Sequence, residues 1–273
     1  MKEELLAEEN LKIPDHIDKA GLEQKILDLF EYRMFPVLLD HMNKPRKEKT
    51  DFFRHLFNLQ EAIYVLDAHL ECNWQVDDAM REKSWNNIVF YLKKCLHSGQ
   101  LPGPYLLHIE KYEKHELALR SALFPDRFTM SYFYYYKSCD VKLLRRLIYE
   151  FGRLEGKDSR LSDWRWFDYV TEINDDISDV EEDMGFYNGN RFLIELLRHG
   201  KKYTETGFKK MLDSIRLNTE KRMTGQRVTP FQQEIHHQTL ENVRQTTEML
   251  KSVIEQIHPD ELKNKWVMAK YIR

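Results

Sequence analysis

Between short, evenly spread breaks, the apolar residues of this chain recur at the three-to-four-residue spacing of an α-helix over its whole length. The breaks are Lys44-Pro45-Arg46, Ser98 to Pro104, Phe124-Pro125-Asp126, Gly156 to Ser159 and Gly225-Gln226. The chain has only 10 glycines and 8 prolines in 273 residues, well below the usual fractions of roughly 7% and 5%. Sandwiches, Gly-rich phosphate loops and Pro-rich linkers all need more of both. The spacing predicts helices near 21–43 (bent at Pro36), 51–73, 76–98, 104–122, 129–155, 161–184, 189–199, 203–222, 230–257 and 260–271. Thr229-Pro230-Phe231-Gln232 has the form of a helix start, with Thr as N-cap, Pro at the first helical position and Gln at the third. The run Tyr132 to Tyr136 is strand-like in composition, but it leads unbroken into Leu143, Leu144, Leu147 and Ile148 at helical spacing and reads as helix. The expectation is an all-α chain, one domain over 1–273, built as a bundle of about ten helices.

With 42% apolar residues the chain can build a sizeable core. Its 42 Lys and Arg against 45 Asp and Glu leave a net charge of −3, which lacks the basic excess of a nucleic-acid binder. Cys72, Cys95 and Cys139 are far apart and form no CxxC pair, which argues against a disulfide scaffold and a zinc site. Met1 to Glu9 is acidic and lacks the plan of a signal peptide. No run of about 18 apolar residues offers a membrane span. A cytoplasmic protein with no nucleic-acid partner and no stable membrane insertion is expected.

The most informative stretch runs from Glu172 to Asp183. At about 100° per residue, Val170, Ile173, Ile177, Val180 and Met184 share one face of a helix. Asn174, Ser178 and Glu182 form a row beside it, and Asp175, Asp179 and Asp183 form a second row one residue on. An amphipathic helix needs a polar face, and an acidic one is commonly no more than solvated. Two details favour a ligand. Acids at i, i+4 destabilise a helix by a few tenths of a kcal/mol per pair unless a cation binds. An amide oxygen, a hydroxyl and a carboxylate on successive turns are the oxygen donors a hard ion such as Mg²⁺ takes.

A second acidic site is Asp67, set in the apolar run Ala62 to Leu70, with Glu71 one turn later. A carboxylate there calls for a cation partner, either a structural Arg or Lys or a metal. Asp77, Asp78 and Glu82 form a third cluster in polar surroundings. Lys137 ends the aromatic run, where it either snorkels to the surface or contacts a phosphate. Arg127 and Arg191 are candidate helpers, although each also reads as an ordinary surface arginine.

Together these residues resemble the class I isoprenoid synthase superfamily, which comprises terpene cyclases, polyprenyl diphosphate synthases and squalene/phytoene synthases. Asn174 to Glu182 fits the terpene-cyclase pattern (N/D)Dxx(S/T)xxxE at every specified position. The same stretch reads as DDxxD over Asp175 to Asp179, and as DxxxDxxxD at Asp175, Asp179 and Asp183. Gly189-Asn190-Arg191-Phe192 loosely echoes the Gly-Arg-aromatic stretch of squalene/phytoene synthases. Lys137-Ser138 looks like the Lys-Thr of polyprenyl synthases, and Asp67-x-x-x-Glu71 looks like a degenerate first aspartate motif. Its separation from the second motif is shorter than usual in these families, which keeps Asp77, Asp78 and Glu82 as substitutes. The similarity covers about residues 52–200.

The resemblance implies a bundle around a deep apolar cavity, with the two acidic motifs facing each other across its mouth. It implies Mg²⁺, three ions with the substrate, held by Asp67, Glu71, Asn174, Asp175, Ser178, Asp179 and Glu182. A prenyl diphosphate would be the substrate, with Lys137, Arg127 and Arg191 on its phosphates and aromatics such as Phe133, Tyr134, Tyr136, Trp164 and Phe167 facing the allylic cation. A homodimer is left open. The complete Asn174/Ser178/Glu182 set favours a terpene cyclase over a prenyltransferase. A di-iron carboxylate bundle, which needs two Glu-x-x-His motifs, would draw on Glu234-Ile235-His236-His237. A non-catalytic helical module is the further alternative.

Overall fold

The computed structural model describes residues 19–156, 158–225 and 228–272. The acidic run Met1 to Glu9, and Lys157 and Gln226 within two of the expected breaks, lie outside the described residues. Helix is what the apolar spacing produces: among the described residues there are thirteen α-helices, three 3₁₀ turns and no β-strand. None of these helices is long and apolar enough to cross a membrane. No described cysteine is in a disulfide. In chain order the helices are α1 (Lys19–Tyr32), α2 (Phe35–Asp40), α3 (Arg46–Cys72), α4 (Asp78–Cys95), α5 (Gly103–Ala118), α6 (Met130–Lys137) and α7 (Cys139–Gly152). They continue as α8 (Arg165–Ser178), α9 (Val180–Asp183), α10 (Arg191–His199), α11 (Lys201–Met223), α12 (Pro230–Gln256) and α13 (Pro259–Lys265).

Three expected helices are cut, each for a local reason. The first ends at Tyr32 rather than bending at Pro36: Met34 takes the left-handed conformation (φ 59°), and α2 restarts with Pro36 in its first turn, where a missing N–H costs nothing. The helix over 129–155 divides at Ser138, so the aromatic run forms the short α6 and the Leu143 to Ile148 stripe forms α7. The helix over 161–184 opens as a 3₁₀ turn (Leu161–Trp164), ends at Ser178 and resumes as the one-turn α9. The helix expected over 260–271 stops at Lys265, where Trp266 turns extended, and the remaining helices lie within about five residues of their expected ends. Thr229 Oγ1 accepts from the N–H of Gln232 (3.1 Å), and Gln232 Oε1 accepts from the N–H of Thr229 (3.0 Å), a reciprocal cap at the start of α12.

The chain forms two compact units. One runs to Leu107 and takes in Asp140–Leu154; the other holds His108–Cys139 and the residues from Glu155 on. In the first, α3 packs along α4, and Leu56, Leu59, Ala62, Ile88, Leu92, Leu144 and Ile148 are all fully buried. Phe52 stacks on Phe151 (4.0 Å between centroids) in the same core. In the second, α8 packs against α12, α11, α6 and α10. Its Phe167, Val170, Ile173 and Ile177 are sealed among Phe192, Phe208, Ile215 and Ile235. Truncating one such side chain to Ala typically costs about 2–5 kcal/mol.

Candidate functional site

The chemistry of the second unit gathers where α6, α8 and the start of α10 meet. Asp176, on the buried side of α8, is fully enclosed. Lys137, the last residue of α6, places its ammonium on Asp176 Oδ1. Tyr134, one turn earlier and equally buried, donates its hydroxyl to Oδ2 (2.8 Å). The N–H of Arg191, at the start of α10, donates to the same Oδ2 (3.2 Å). A buried carboxylate survives only when paired and hydrogen-bonded, and here three partners from two other helices do so.

Asp183 extends the cluster. Asn188 Nδ2 donates to Oδ1 and Asn190 Nδ2 to Oδ2, each at 2.6 Å. Burial pushes the Asp183 carboxyl up to about 6, against the opposing pull of Lys137 and the two asparagines. Burial also works to lower the Lys137 ammonium, but the carboxylates of Asp176, Glu172 and Asp183 outweigh it and raise its pKa. Burial and the neighbouring Asp176 push the Tyr134 hydroxyl well above the ordinary phenol range. Lys137 is therefore a firmly charged ammonium, held by internal carboxylates with 19% of its side chain exposed.

The expected metal-ligating row lies at the end of α8 and beyond it. Asn174 is half-buried and donates its Nδ2 to Thr246 Oγ1 of α12 (2.9 Å), an arrangement that does not use its amide oxygen. Asp175 is half-buried, while Ser178, Asp179 and Glu182 are exposed. The continuous helix expected through this row is corrected by the structure. Ser178 Oγ donates to Asp179 Oδ1 (2.7 Å) and to the Asp175 carbonyl (3.2 Å), and the backbone at Asp179 leaves the helical region (φ −90°, ψ 14°). The Asp176 carbonyl accepts from Asn190 Nδ2 (2.8 Å), a side-chain partner near the end of the helix. Asn174, Asp175 and Ser178 thus stand on α8, Asp179 at the break, and Glu182 on α9.

Amide, hydroxyl and carboxylate oxygens fit a hard divalent ion in kind. Among the described residues, no three His, Cys, Asp or Glu side chains come together as a metal-holding group. A metal at this row would therefore rely on the neutral oxygens of Asn174 and Ser178 beside the carboxylates.

The other expected site residues have definite places. Arg191 is buried, with Nε on Glu195 Oε1 (2.7 Å) and Nη1 on the carbonyls of Phe128 (2.8 Å) and Pro125 (3.2 Å). Arg127 is exposed on the 3₁₀ turn Pro125–Arg127. Ser138 is buried and donates its hydroxyl to the Tyr134 carbonyl (3.0 Å). Phe133, Tyr134, Trp164 and Phe167 are buried core rings, and Tyr136 is half-buried.

Asp67 and Glu71 belong to the first unit, half-buried on α3, where with burial they raise the pKa of the neighbouring Cys72 thiol. Asp77 caps α4, its Oδ1 accepting from the N–H groups of Ala79 (2.8 Å) and Met80 (3.1 Å), while Asp78 and Glu82 are exposed. Glu234 and His237 face solvent on α12, which gives a di-iron core nothing to build on.

Sequence reasoning missed Asp176 as the centre of the cluster, and missed Asn188 and Asn190 as its supports. One signal was present. On the helical wheel Asp176 borders the Ile173/Ile177/Val180 stripe, and the four helices around α8 bury a wider face than that stripe: Asp168 and Glu172 are buried there too. No family model, curated protein or solved structure matches the chain.

Proposed function

We propose that the chain is a Mg²⁺-dependent enzyme of the class I isoprenoid synthase type, ionising a linear prenyl diphosphate and releasing diphosphate. The observation that carries the reading is the oxygen-donor row Asn174, Asp175, Ser178, Asp179 and Glu182, standing half-buried to exposed beside the fixed Lys137–Asp176 pair. Asn174, Ser178 and Glu182 would hold a metal ion. When bound, Mg²⁺ supplies Lewis-acid stabilisation of a leaving diphosphate.

The chain's own residues do the rest. Asp176 fixes the Lys137 ammonium and, with Glu172 and Asp183, keeps it positively charged. Asn190 ties the end of α8 to α10 through Asp176 and Asp183, and so holds Asn174 and Ser178 at one place relative to Lys137. Arg127 is the exposed cation on the turn that Arg191 anchors. A cyclase is favoured over a prenyltransferase by the complete Asn/Ser/Glu set, and product analysis separates them.

The test is incubation with geranyl, farnesyl and geranylgeranyl diphosphates plus Mg²⁺, with hydrocarbon and alcohol products read by gas chromatography. Products that disappear with EDTA support the reading. No release of diphosphate from any of the three overturns it. A second reading, a non-catalytic helical module, draws on Arg191: it is buried, with Nε on Glu195 and Nη1 on two backbone carbonyls, which is the bonding of a structural arginine.

A further inference from the structure

On the same face of α8 as Asp176, two to three turns nearer the start of the helix, the second unit carries an open cleft of about 440 Å³ lined by Ser131, Tyr132, Tyr135, Tyr136, Arg165 and Tyr169. Four of its six walls are phenol rings and none is a carboxylate. The rings form a continuous surface: Tyr136 lies 4.9 Å from Tyr132 and 5.2 Å from Tyr135, the latter pair edge-on. Arg165 is the cleft's cation. Its guanidinium lies 4.8 Å from the ring centroid of Trp166 and 5.5 Å from that of Tyr169, so two aromatic faces hold it in place.

Arg165 is exposed and forms no salt bridge among the described residues. It also opens α8, where the helix dipole disfavours a cation and favours an anion. An anion beside Arg165 would relieve both conditions. The volume falls in the range of small-molecule sites, roughly 300–1,000 Å³, and flat rings pack well on tyrosine faces.

We propose that this cleft is a binding site for a small aromatic oxyanion, a carboxylate or a phosphate ester, with Arg165 on the oxyanion and the tyrosines on its ring body. The proposal rests on the cleft alone and requires no metal, so it stands or falls apart from the isoprenoid reading.

The experiment is calorimetric titration of the full chain, in buffer containing EDTA, with three probes: 2-naphthoate, 1-naphthyl phosphate and the uncharged 2-naphthol. At least one anion should bind one-to-one and about tenfold or more tighter than 2-naphthol, the advantage expected of a charge-assisted contact. Naphthoate binding the tighter would assign the natural ligand to the carboxylic acids, and naphthyl phosphate the tighter to the phosphate esters. Arg165→Gln should erase the advantage of the anions while leaving 2-naphthol unchanged, and Tyr135→Ala should weaken all three. Lys209→Gln, an exposed change on α11, is the control. Both cleft variants alter exposed side chains, and unchanged circular dichroism would establish that they fold. Equal affinity for the three probes, no binding of either anion, or anion binding unaffected by Arg165→Gln would each overturn the proposal.

Discussion

Lys137 and Asp176 form an ion pair that joins the last residue of α6 to the buried side of α8, with the carboxylate fully enclosed. Tyr134 and the Arg191 N–H complete its hydrogen bonding. Such a pair is costly to break, because removing one partner leaves the other charged and dry. Lys137→Met should lower unfolding stability by about 3–5 kcal/mol in urea titrations. The double variant Lys137→Met/Asp176→Asn should recover a large part of that loss, because it removes the stranded charge. Additive losses in the double-mutant cycle would show that the two side chains do not interact.

The region around this pair shows where a single sequence stops being informative. The Thr229 cap was legible because its two reciprocal bonds close within four consecutive residues, whereas the further bonds of Thr229 to the Asp158 carbonyl and of Gln232 to Asp163 were not. The helical nature of Tyr132 to Tyr136 was legible because periodicity outweighs composition. Asp176 was not, because its burial depends on the four helices that pack around α8, and a wheel drawn on α8 alone places it at a border. The break at Asp179 was hidden for the same reason, since Asn190 reaches back 14 positions to the Asp176 carbonyl.

Asp183 should make stability fall as pH rises. Its carboxyl is pushed from 3.8 up to about 6 in the fold, so the folded state binds more protons than the unfolded state between those values. Stability from this group is present below pH 3.8 and lost as pH rises through 6, by up to about 3 kcal/mol at 1.36 kcal/mol per pKa unit. Asp183→Asn, compared with the parent in urea titrations from pH 4 to 7.5, should therefore gain relative stability as pH rises. Carboxyl-carbon NMR should place the Asp183 midpoint near 6. A midpoint near 4, with no relative gain, would contradict the burial argument.

Gly189 precedes Asn190, and a Cβ built on it would come within 2.7 Å of Glu116 Oε1 and 3.4 Å of Pro125 Cγ. Glu116 is itself buried, so its carboxylate has little room to retreat. Gly189→Ala should cost about 1–3 kcal/mol, the usual range for overpacking. Glu116→Gly in the same background should restore part of it. A neutral Gly189→Ala would mean that the Glu116 side chain has other space to occupy.

Mg²⁺ and inorganic diphosphate together should raise the melting temperature, while neither does so strongly alone, because only metal-bridged diphosphate balances the acids from Asn174 to Glu182. A ligand specific to the folded state at 100 times its Kd adds about 2.7 kcal/mol. Glu182→Gln keeps size and polarity and removes one charge from an exposed side chain, so melting without ligand should hardly change. The joint shift should shrink, and turnover of the accepted prenyl diphosphate should fall about 10²–10³-fold, the usual effect of losing one electrostatic contact to a transition state. Glu181→Gln, exposed on the same one-turn helix but outside both rows, is the control and should be nearly silent. Equal losses in both variants would point to a general dependence on surface charge. A silent Glu182→Gln in an active enzyme would make this row a solvated helix face and remove the residues on which the isoprenoid reading rests.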